Sequence, residues 1–239
     1  KDGVIVDKRP LPGDPAGYTI VSLDQHSEFI GHGDKKDYYG ATFDKGETQK
    51  HHHGNVHEYL ISTSVLQADV VINLPKLKTH KKSGMTCCLK NLVGINGDKN
   101  WLPHHTEGTP CEGGDQFPRK TGKVKFEQSV FGTLKAGAAR SRLLSRFLGG
   151  AKQVGRLFLG STEEVVRSGN WHGNDTVWRM ILDLNKVLLH FDAQGGFLPK
   201  PRTVFCIVDG VVGGEGIGPM HPDRKPLGLL VGGFDSALV

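Results

Sequence analysis

Short apolar runs separated by glycine- and proline-bearing turns dominate the chain, and few stretches keep a helical period. Val4-Ile5-Val6, Tyr18 to Leu23, His57 to Ile61, Val70-Val71-Ile72, Thr203 to Val208 and Leu227 to Val231 each read as a strand. Val70 to Ile72 and Thr203 to Val208 are continuous apolar runs, so both are expected to be buried. Val177 to His190 repeats its apolar residues at helical spacing, with Asn174 or Asp175 placed as the cap. Arg179 and Asp183 stand four apart on that helix and are expected to pair. Ser62 or Thr63 is placed to cap a short helix ahead of Val70. Apolar residues from Val130 to Phe158 also recur at roughly helical spacing, broken near Gly149-Gly150, which predicts two helices. Gly31 to Lys50 and Gly108 to Pro118 read as loops. Strands alternating with helices predict an α/β fold, with a mixed or mostly parallel sheet flanked by helices and long functional loops. One domain over residues 1–239 is expected, with a candidate sub-boundary near 118–125. Asp235 to Val239 reads as the opening turn of a helix, so truncation at one or both ends is expected.

Composition narrows the classes. With 37% hydrophobic and 23% charged residues the chain can bury an ample core. No apolar run nears the roughly 18–20 residues that cross a bilayer. The four cysteines form neither a C-x-x-C pair nor a ferredoxin-like run, so no iron–sulfur cluster is expected. Thiols of this kind suit a reducing, cytoplasmic setting. The net charge of +5 says little, but residues 119–167 set Arg140, Arg142, Arg146 and other cations against only Glu127, Glu163 and Glu164. This basic amphipathic segment fits either an ordinary surface helix or contact with an anionic membrane surface or a phosphorylated partner. It lacks interleaved aromatics and any nucleic-acid motif, so nucleic-acid binding is not expected.

The chemistry concentrates between Asp69 and Gly94. Pro75 cannot continue a paired central strand, so Lys76 to Lys82 is expected to leave the strand end as a loop. That is where open α/β sheets hold ligands. Lys76, Lys78, His80, Lys81 and Lys82 crowd into seven positions and repel one another unless an anion is near. Gly84 and Thr86 then lead into a short helix carrying Lys90 and Asn91. Thr86 and Lys90, four apart, share one face if both are helical. The expected site binds an anion through Lys76, Lys78, Thr86, Lys90 and Asn91, with His80 as acid/base and Lys90 also catalytic. Lys81 and Lys82 read equally well as solvated.

Three further groups are candidates. Asn174, Asp175 and Arg179 form a secondary polar site, although capping alone would also account for Asp175. Asp209 and Glu215 flank a glycine-rich stretch and are placed to take a divalent cation or to act as acid/base. Pro219 follows with no helix opening, which argues against a dinucleotide fingerprint. Trp101, His104, His105, Glu107 and Asp115 make the stretch after Gly94 a lid or second wall, or a loop that Trp101 packs down. His51-His52-His53 is expected to be loop, since consecutive residues rarely converge on one ion.

Val71-Ile72-Asn73-Leu74-Pro75-Lys76-Leu77-Lys78-Thr79-His80, followed by Gly84, Thr86 and Leu89-Lys90-Asn91-Leu92-Val93-Gly94, resembles the signature of domain of unknown function family 362. Asp209-Gly210 with Glu215-Gly216 and Gly218-Pro219 is similar to its second signature, and Gly173-Asn174-Asp175-Thr176 with Trp178-Arg179 to one branch of it. The resemblance implies no settled activity. Some members carry added iron–sulfur modules, and this chain shows none. His80, Gly84, Thr86 and Lys90 also resemble the spacing of the nickel-pincer lactate racemases. That likeness implies Lys90 as tether of a nickel-carrying pyridinium nucleotide, His80 as acid/base, and His104 or His105 as a metal ligand. Cys87 and Cys88 stand where those enzymes have glycines.

Two functions follow as expectations. One is a cytoplasmic enzyme that binds a small anionic ligand or nucleotide-like cofactor, with racemase-like or redox chemistry. The other is a non-catalytic module that docks a phosphorylated or membrane-linked partner through residues 119–167. Nothing in the sequence sets the oligomeric state.

Overall fold

A computed structural model of the chain describes residues 12–32, 37–40, 45–119 and 168–239. The expected strand at Val4 to Val6, the paired helices within 130–158, most of the basic segment and most of the candidate sub-boundary lie outside the described residues.

The largest sheet is built around one long strand. In chain order the strands are β1 (Tyr18–Ser22), β2 (Tyr38–Tyr39), β3 (His52–His53), β4 (Val56–Ser62), β5 (Val70–Asn73), β6 (Lys76–His80), β7 (Gly84–Thr86), β8 (His105–Thr106), β9 (Thr203–Glu215) and β10 (Asp223–Gly233). β5 and β6 both run parallel to β9, end to end along it, while β10 and β7 pair antiparallel with β9 and β6. A three-stranded antiparallel sheet has the order β1-β4-β3, and β2 pairs with β8. The mixed sheet with its helices is the expected α/β class.

The principal helix is α4 (Val177–His190), with bounds as read from the sequence; α1 (Lys45–His51), α2 (Thr63–Gln67) and α3 (Cys88–Asn91) are short. Val177, Met180, Ile181, Leu184, Val187 and Leu188 form a continuous buried stripe on α4. It belongs to the core with Val21 of β1, Tyr59 and Ile61 of β4, and Val204, Cys206 and Val208 of β9. Burying such side chains stabilises by about 1.5–3 kcal/mol each. The helix ends where Arg202, itself buried, donates to the carbonyls of Leu66, Ala68, Leu188 and Phe191. These bonds satisfy carbonyls that the end of a helix leaves open.

Several expectations are corrected. Val70 and Ile72 are 56% and 61% exposed, so β5 is not a buried strand. Its anchor is Asn73, whose amide donates to the Cys88 carbonyl at 2.8 Å. Gly31 to Lys50 is not wholly loop, since it holds β2 and most of α1. His51 ends α1 while His52 and His53 form β3, because the His52 ring is buried against Phe29, His57 and Tyr59. The glycine-rich stretch after Asp209 is the second half of β9. Arg179 does not pair with Asp183, which is buried and accepts from Ser27 Oγ at 2.6 Å, Glu28 N at 2.7 Å and Tyr59 Oη at 2.9 Å.

Candidate functional site

Lys76 to His80 is a strand rather than a loop, and its alternation decides which side chains meet. Pro75 lies at the break between β5 and β6, where its missing N–H costs nothing. Its carbonyl still accepts from Asp209 N at 2.9 Å. Across the β6–β7 hairpin Lys78 faces Thr86 and His80 faces Gly84. Opposed residues of an antiparallel pair share a face, and side chains two apart do too. Lys78, Thr86 and His80 therefore stand on one side of the hairpin. Thr86 belongs to β7 and not to the helix, so its neighbourhood with Lys78 is cross-strand. Gly214 of β9 allows the close approach behind them: a Cβ there would lie 2.8 Å from Pro222 and 3.1 Å from the Lys78 Cβ.

The turn after His80 is tied by its own ring. The backbone N–H groups of Lys82 and Ser83 donate to His80 Nδ1 at 3.1 and 3.3 Å. α3 then carries Lys90 back towards Lys78. Among the described residues neither Lys78 nor Lys90 has a hydrogen-bonding or carboxylate partner. Thr86 Oγ1 is buried and makes no hydrogen bond among the described residues. Burial, with the charges of Lys90, Lys82 and Lys78, pushes the His80 imidazole down to about 4. Burial and Lys78 lower the Lys90 ammonium. Two ammonium groups and a hydroxyl without hydrogen-bond partners among the described residues thus lie near a neutral imidazole.

Part of the stretch after Gly94 packs against the turn that follows His80. Lys82 donates to the carbonyls of Ser168 and His104, and burial brings its ammonium down to about 8. His104 Nδ1 donates to the Leu102 carbonyl at 2.7 Å, and burial with nearby Lys82 lowers its ring to about 3. Sequence reasoning left Lys82 evenly between the anion-facing site and a solvated loop. Its anchoring role is visible only once Ser168 is folded beside it.

Other expected residues are held elsewhere. Lys76 pairs with Asp209 at 2.8 Å and Glu215 with Lys225 at 3.1 Å, both on exposed strand. His105 stacks on Tyr39, with ring centroids 4.9 Å apart. Among the described residues no three His, Cys, Asp or Glu side chains gather as metal ligands. Asp209, Glu215, His104 and His105 thus do not come together as one metal site. Asn91 donates to Asn73 Oδ1 at 2.7 Å, a bond that ties α3 to the end of β5.

The turn before α4 is equally polar. Asn174 Oδ1 accepts from Val177 N at 2.8 Å, and its amide donates to the carbonyls of His104 and Gly169. Asp175 meets His32 Nε2 at 2.8 Å, Trp178 Nε1 at 2.9 Å and the Arg179 guanidinium. Arg179 also donates to the Glu28 carbonyl. Asp115, missed as a structural centre, accepts from Thr106 N through one oxygen and from Asp175 N, Thr176 N and Thr176 Oγ1 through the other. A cleft of about 190 Å³ opens beside His32, Gly114, Asp115 and Asp175, but these carboxylates are already engaged.

The family model described as Domain of unknown function (DUF362) matches residues 31–239, and the chain belongs to this family. No curated protein and no solved structure matches it. The likeness to nickel-pincer lactate racemases has no support in these comparisons and rests on four spaced residues. No helix among the described residues is long and apolar enough to cross a membrane.

Proposed function

For this DUF362 chain, we propose an enzyme that binds a small oxyanion on the face of the β6–β7 hairpin. Lys78 and Lys90 hold the negative charge, the Thr86 hydroxyl donates to it, and His80 shares a proton with the bound ligand. The observation that carries this reading is the pair of lysines that, among the described residues, lack a counter-charge beside a buried, unbonded hydroxyl. Like charges in a half-buried site repel, and an anion between them removes the repulsion and satisfies the hydroxyl. Lys76, engaged by Asp209, has no part in binding.

Calorimetric titration with inorganic phosphate and with acetate tests this. Replacing either lysine, as Lys78→Met or Lys90→Met, should weaken the tighter-binding anion at least tenfold, about 1.4 kcal/mol. The melting temperature should hold or rise, because one like-charged neighbour is gone. Unchanged affinity in both variants would refute the assignment.

A further inference from the structure

The hydrogen bonds around His80 determine more than its place. A backbone N–H can only donate, so the bonds from Lys82 N and Ser83 N require a lone pair on Nδ1. In a neutral imidazole the proton then sits on Nε2. Nε2 has no protein partner among the described residues. Its ring stands on the same hairpin face as Lys78 and Thr86.

We propose that His80 acts at this site as a fixed neutral Nε2–H hydrogen-bond donor, and that the ligand atom facing it is an oxygen that holds or gains negative charge. This rests on the oxyanion site argued above and narrows what it takes. A carboxylate, phosphate or enolate oxygen suits the donor, whereas a ligand offering only a hydroxyl proton there does not. His80 polarises the oxygen and does not abstract a proton through Nε2. Its neighbours support the role, since three lysines disfavour an imidazolium between them. His104 provides an internal contrast. Its Nδ1 meets a carbonyl, which can only accept, so that ring carries its proton on Nδ1.

Nitrogen-15 NMR of the labelled full chain, with ring signals assigned by through-bond correlation, reads both tautomers without any variant. His80 should show an acceptor Nδ1 and a protonated Nε2 from pH 7 to pH 5, and His104 the reverse. A His80 proton on Nδ1, or an imidazolium near neutrality, would overturn the proposal. Binding of phosphate and acetate gives the second readout. His80→Gln, whose amide keeps a donor near the Nε2 position, should stay within threefold of the parent, while His80→Ala loses about tenfold. Equal losses in the two folded variants would count against donation. If neither anion binds the parent while the Nε2–H tautomer stands, the oxyanion reading has failed and the tautomer has not.

Discussion

The hairpin at Lys76 to Lys90 and the turn from Asn170 to Arg179 are both dense in polar side chains, and they differ in what those groups do for one another. In the turn, Asn174, Asp175, Arg179 and Asp115 satisfy each other and the first N–H groups of α4. In the hairpin, Lys78, Lys90 and the Thr86 hydroxyl find no partner among the described residues, and burial holds them close. A satisfied network stabilises the fold and offers little to a ligand. An unsatisfied one costs stability and is kept where something else completes it.

The sharpest way to break this contrast is Asp115→Ala. It leaves the amides of Thr106 and Asp175 without their acceptor and takes the shorter of two from Thr176, and should cost about 3 kcal/mol or more in urea unfolding. A cost below about 1 kcal/mol would show that the turn is not the structural region described here.

Acidification acts on the hairpin side. His80 has a folded value of about 4, below the usual 6.5, so the unfolded chain takes up its proton first. Stability contributed by the neutral ring is present above pH 6.5 and is lost as pH falls from 6.5 towards 4. The slope is at most about 1.4 kcal/mol per pH unit. Unfolding at pH 7 and pH 5 should show a smaller pH dependence in His80→Gln than in the parent, and bound phosphate should reduce it in the parent. Identical slopes would show that neither burial nor the neighbouring lysines hold the His80 ring neutral.

The smallest effect is expected at Asp175→Asn. Its side chain is 47% exposed, so its pairing with Arg179 and His32 is screened. A loss of about 1 kcal/mol or less in thermal melts is expected. A loss as large as that of Asp115→Ala would place the weight of the turn on its outer ion pairs.

The residues of the candidate site were legible in the sequence, but their geometry was not. Lys78, His80, Thr86 and Lys90 stood out because four cations and a histidine crowd a stretch with no acid. The reading of Lys76 to Lys82 as a loop gave Pro75 too much weight. Proline interrupts one strand here, and the chain resumes pairing with the same partner, β9, immediately afterwards. The alternation Lys76-Leu77-Lys78-Thr79-His80 carries a strand period that charge density masked. Asp115 and Arg202 left no local signal, since their partners lie far along the chain.

By itself the sequence determined the α4 boundaries, the β1 and β4 strands, the mixed α/β class and the set of side chains with unbalanced charge. These follow from periodicity, capping and composition, which act between residues near in the chain. Only the tertiary structure decided that Lys76 pairs with Asp209, that Asn91 and Asn174 hydrogen-bond within the fold, and that Lys82 bonds the His104 and Ser168 carbonyls. It also decided which nitrogen of His80 accepts from the following turn. Those outcomes depend on which backbone donors and distant carboxylates arrive beside each group, and contact between distant residues is set by the fold.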